Sequence, residues 1–67
     1  GAACAVYNGA NEEAVAAFLR DEIPFGDIAV RVERALDQLA GLPADNLEDI
    51  WEADRRARAV AGEDFRS

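Results

Sequence analysis

A chain of 67 residues with 14 acidic side chains, seven Arg and neither Lys nor His carries a formal charge of −7 and has room for one small domain. That balance excludes a nucleic-acid or anionic-membrane surface, because phosphate would be repelled and the Arg residues are not gathered into one run. No apolar run approaches the ~20 residues of a bilayer span, and Gly1 to Val6 lacks the basic start and long apolar middle of a signal peptide, so a soluble, cytoplasmic setting is expected.

The first predicted helix runs from Asn8 or Asn11 to about Glu22. Val15, Phe18, Leu19 and Ile23 recur at i, i+3, i+4 and i+8, which places them on one helical face. The alanines between Ala10 and Ala17 favour helix, and their small side chains allow a neighbouring helix to approach closely. Whichever asparagine opens the helix caps its free N–H groups, with Glu12 and Glu13 complementing the dipole. Pro24 stops the helix and holds Ile23 extended.

A second helix starts behind Gly26 as N-cap, with Asp27 in its first turn and Phe25 placed to staple onto Val30. Ile28, Val32, Ala35, Leu36 and Leu39 make its apolar stripe, the cleanest in the chain. Gly41 in a left-handed cap and Pro43 beyond it mark the end. The third helix opens at Asn46, answered by Asp49 in a variant of the capping box, and ends near Ala61. Leu47, Ile50, Trp51, Ala57 and Ala61 are its expected inner face, with Trp51 as anchor and Phe65 as a last anchor or a remnant. No strand alternation and no repeat is present, so the predicted fold is all-α, an up-and-down bundle of three helices with room for a short extra terminal turn.

Chemistry is harder to find. The only hydroxyl side chains are Tyr7 and Ser67, Cys4 has neither a disulfide partner nor a basic neighbour, and there is no glycine-rich phosphate loop. An interior Ser is missing too, which excludes an acyl carrier. Asp54 falls on or beside the buried stripe, where a charge needs a partner; Arg58, one turn on, is the nearest and makes it a structural ion pair. Asp21/Glu22 and Glu48/Asp49/Glu52 read as solvated or helix-start charges, since a hard cation needs carboxylates converging from a turn.

The stretch "AVYNGANEEAVAAFLRDEIPFGDIAVRVERAL", followed by "NLEDIWEADRRAR", resembles the C-terminal part of 1-deoxy-D-xylulose 5-phosphate reductoisomerase. The matching elements are Asn8 to Glu12, Ala17 to Leu19, the corner Ile23 to Ile28, and Asp54 to Arg58; Gly9 stands where that family usually has alanine and Gly26 where threonine is common. The resemblance implies that residues 1–67 are the C-terminal helical domain of a larger, NADPH-dependent reductoisomerase. It further implies a divalent cation (Mg or Mn) and a homodimer. Such an enzyme converts 1-deoxy-D-xylulose 5-phosphate to 2-C-methyl-D-erythritol 4-phosphate in non-mevalonate isoprenoid biosynthesis. By the same resemblance the nucleotide, metal and phosphate sites lie before Gly1. No catalytic, cofactor-binding or metal residue is therefore expected in this piece, which should be inactive alone and dock on the catalytic domain of the same polypeptide. Part of its apolar surface, around Tyr7, Phe25 or Phe65, should lie exposed without that cover. The alternative from the residues alone is a free-standing acidic helical module that holds a partner peptide.

Overall fold

Residues 1–63, those that the computed structural model describes, form three helices: α1 (Ala3–Leu19), α2 (Asp27–Leu39) and α3 (Leu47–Gly62). No strand is present among the described residues. The N–H of Ala2 donates to Ala40 O at 3.0 Å, so the start of α1 meets the end of α2. Arg31, early in α2, reaches Ala61 O and Glu63 O at the end of α3. Gly9 lies against Asp54, and Glu12 reaches Arg58, so α1 and α3 advance together. The result is an up-down-up bundle, with α2 antiparallel to the other two.

The first helix begins at Ala3, earlier than expected, and neither Asn8 nor Asn11 caps it. Ala2 stands at the cap position with no side-chain hydrogen bond. Burial of Ala2 and Val6 against the end of α2, with the high propensity of the alanines, holds the extra turns in place of a cap. The helix also ends sooner, at Leu19. Asp21 turns left-handed at φ 60°, its N–H donates to Phe18 O and that of Glu22 to Ala17 O. This pattern closes the helix before Pro24 is reached, with an aspartate in the place glycine usually takes.

The apolar face of α1 is corrected as well. Its buried residues are Val6, Gly9, Ala10, Ala14 and Ala17, whereas Leu19 is 73% exposed. The expected α2 stripe holds: Val32, Ala35 and Leu39 are buried, and Ile28 and Leu36 pack at its edge. Gly26 is the N-cap and Asp27 lies in the first turn. The staple does not form. Phe25 instead packs edge-to-face on Phe18, ring centroids 5.6 Å apart, and Val30 is exposed. Ala40 is the C-cap in right-handed geometry and Gly41 has no positive φ, because the N–H of Leu42 closes the turn on Leu39 O.

At α3 the cap is as expected: Asn46 Oδ1 accepts from the N–H of Asp49 at 2.8 Å. The return arm goes one residue further back, with the N–H of Asp45 donating to Asp49 Oδ2 at 3.1 Å. Ala53, Ala57 and Ala61 form the inner face, one per turn. Leu47, Ile50 and Trp51 point outward; Trp51 is 63% exposed and anchors nothing within the bundle. The physical reason is spacing, since an alanine seam lets α1 and α3 lie too close for an indole between them. Phe65, the expected last anchor, lies outside the described residues.

Candidate functional site

The polar residues of the first helix do not converge. Asn8 is exposed, Asn11 is half-buried at the rim of a groove, and Glu12 and Glu13 sit mid-helix, away from the positive end of the dipole. What the fold does assemble is a bridge between α1 and α3. Arg58 Nε donates to Asp54 Oδ2 at 2.9 Å, and Arg58 Nη2 donates to Glu12 Oε1 at 3.0 Å. These two hydrogen bonds, Asp54 first, raise the Arg58 guanidinium above its ordinary value. Asp54 thus has the helical partner expected for it, and a second carboxylate shares the guanidinium.

Beneath that bridge the helices nearly touch. A Cβ on Gly9 would lie 2.6 Å from Asp54 Oδ1 and 3.0 Å from Asp54 O. The glycine admits the α3 backbone and the Asp54 carboxylate where alanine would press on both. A residue that costs helix propensity in isolation therefore fits this contact.

Arg31 was not singled out from sequence, and it is the one buried charged residue of the described core, 4% exposed. Its Nη1 donates to Ala61 O at 2.6 Å and to Glu63 O at 2.8 Å, and Asp27 Oδ2 stands 4.0 Å from its Nε. A cation at the open carbonyls of a helix C-terminus satisfies acceptors that the helix itself cannot. The signal available in sequence was position alone, one residue before Val32 on a helix otherwise read for its apolar side chains.

On the surface, guanidinium groups occupy several carboxylates. Hydrogen bonds from Arg55 and then Arg56 pull Glu52 down to about 2, and Arg20 lowers Glu22. Among the described residues no three His, Cys, Asp or Glu side chains gather in a way that could hold a metal ion. The donor set here, carboxylates already paired with Arg58, Arg55 and Arg56, does not fit a divalent cation. No helix among the described residues is long and apolar enough to cross a membrane.

Two apolar concavities lie among residues 1–63. One, of about 510 Å³, runs between α1 and α2 and is lined by Tyr7, Asn11, Phe25, Ile28, Val32 and Leu36 among others. Tyr7 and Phe25 at its rim are 50% and 73% exposed, as expected of an uncovered face. The other, of about 260 Å³, lies between the first turns of α1 and α3 and includes Gly1, Cys4, Ala5, Asn8 and Ile50.

Residues 1–60 match the family model described as the DXP reductoisomerase C-terminal domain. The chain is 51% identical over 63 residues to a 1-deoxy-D-xylulose 5-phosphate reductoisomerase of Pseudomonas paraeruginosa, a match covering 94% of this chain and 16% of that protein. The corresponding protein of Rhizobium meliloti is 48% identical over 63 residues, covering 92% of this chain and 16% of its own length. That of Desulfosudis oleivorans is 50% identical over 58 residues, covering 87% and 15%. The chain thus spans about one-sixth of the length of these relatives. No solved structure matches it.

Proposed function

Since the chain belongs to the DXP reductoisomerase C-terminal domain family, we propose that it is the buttressing domain of an NADPH-dependent reductoisomerase. The enzyme converts 1-deoxy-D-xylulose 5-phosphate to 2-C-methyl-D-erythritol 4-phosphate, with a divalent cation, as a cytoplasmic homodimer. The chemistry belongs to other parts of that polypeptide, and this domain contributes no catalytic, nucleotide or metal residue. One observation carries the structural half of the reading: alanines make up most of the buried core while Tyr7, Leu19, Phe25, Leu47, Ile50 and Trp51 stand outside. A monomer of this size has little to gain from such a surface, whereas a domain seated on a larger body buries it.

The test is made on the full-length enzyme. Purified protein should oxidise NADPH in the presence of 1-deoxy-D-xylulose 5-phosphate and Mg²⁺ or Mn²⁺. Deleting residues 1–67 should lower its thermal stability and its turnover together. Undiminished stability and turnover after the deletion would remove the buttressing role. The groove between α1 and α2 also suits a second reading, an acidic helical module that binds an apolar peptide. A reading frame that begins immediately before Gly1 favours that module; one extending several hundred codons upstream favours the enzyme.

A further inference from the structure

We infer that the domain seats on the rest of its own polypeptide through the face formed by the first turns of α1 and α3, with Leu47, Ile50 and Trp51 supplying its α3 side. This rests on the buttressing reading above and adds the surface that performs it. Leu47, Ile50 and Trp51 lie on one face of α3 at i, i+3 and i+4, and are 57%, 40% and 63% exposed. Ile50 borders the smaller concavity, whose lining includes Cys4, Ala5 and Asn8 of α1 and carries no charged side chain. In a chain with 31% charged residues, such a stretch is conspicuous.

Two observations identify the occupant. The family is a C-terminal domain, and the match covers 16% of relatives such as the Pseudomonas paraeruginosa protein, so in such a protein the remaining body joins on the N-terminal side. Gly1 itself lines the concavity, so residues preceding it arrive on this patch and not on the α1–α2 groove, whose lining begins at Tyr7. A surface placed at the tether meets its partner at high effective concentration, of order mM for a short linker, so a modest apolar contact suffices to hold it. Charge agrees with the assignment at the smaller concavity, whose lining holds no carboxylate to be covered on closure.

The experiment uses the full-length enzyme carrying Leu47→Glu and Trp51→Glu, with Tyr7→Glu and Phe25→Glu as the comparison pair. Two quantities are read: the rate of limited proteolysis at the segment preceding Gly1, and iodoacetamide labelling of Cys4 located by peptide mass. The α3 pair should speed cleavage about tenfold and open Cys4, which is protected in the unaltered enzyme, because about 1.4 kcal/mol of docking is a tenfold change in the open population. Trp51→Phe, which keeps an aromatic surface, should restore slow cleavage. Should the Tyr7/Phe25 pair release the domain and the α3 pair leave it seated, this face is wrong while buttressing stands. If neither pair changes cleavage and Cys4 labels freely in the unaltered enzyme, buttressing falls with it. Protection of Cys4 that vanishes on dilution assigns the face to a second copy and overturns the inference.

Discussion

The seam between α1 and α3 and the stripe along α2 bury apolar surface by opposite means. Along α2 the side chains that fill space are Val32, Leu36 and Leu39, and a helical period in bulky residues locates them. Between α1 and α3 the filling is Ala10, Ala53, Ala57 and Ala61 around a single larger residue, Val6. Small side chains let the two helices approach until backbone meets side chain at Gly9, and no volume is left for a larger group. Tyr7, Leu19, Leu47, Ile50 and Trp51 of those helices then turn outward. A period in large apolar side chains therefore marks the buried face of α2 and, on α3, an exposed face.

The comparison breaks first, if it breaks, where the two regions meet. Arg31→Ala removes both hydrogen bonds to the last carbonyls of α3 and should cost about 3 kcal/mol, read from the urea midpoint. A loss below about 1 kcal/mol would mean that water replaces the guanidinium there without penalty. Overfilling the seam comes next: Ala57→Leu, at a position with no exposed surface, should destabilise by about 2 kcal/mol. If the variant melts with the unaltered domain, the seam is loose. Trp51→Ala should change the stability of residues 1–67 by no more than about 0.5 kcal/mol, although it removes the largest side chain of the chain. A larger loss would place the indole inside.

The smallest effect is electrostatic. Glu52 is held near 2, below its ordinary 4.5, so the folded state binds its proton less readily than the unfolded chain does. Its contribution is full above about pH 4.5 and fades as pH falls toward 2. Glu52→Gln should flatten that part of the melting-temperature profile and leave the profile above pH 5 unchanged in slope. An identical acid limb in both proteins would show that Arg55 and Arg56 hold the carboxylate no better than water does.

Much of the bundle is legible in the sequence. The α2 stripe, the Asn46 cap and the Asp54 and Arg58 pair follow from local rules of spacing and capping, whereas the exposure of Tyr7 and Phe25 is expected from reading the chain as a piece of a larger body. The alanines of α1 were legible as permission for close approach, but not as the inner face itself, because Val15, Phe18 and Leu19 offer a stronger hydrophobic signal at the same period. Trp51 misled for the same reason: burial is decided by which surfaces are available, and α1 offers α3 a seam too narrow for an indole. Asn8 and Asn11 look like caps in the sequence because tertiary packing at Ala2 and Val6, which extends the helix past them, has no local signature. Arg31 escaped entirely, since its partners are carbonyls some thirty residues away.

The grip of Arg31 on Ala61 O and Glu63 O has a dynamic corollary. Unwinding the terminal turn of α3 breaks both hydrogen bonds that the buried Arg31 guanidinium donates there. Opening of the tail and loosening of the first turn of α2 then become one event, and amide protons at positions 59–63 and 27–31 should exchange with a common free energy, as a single cooperative unit.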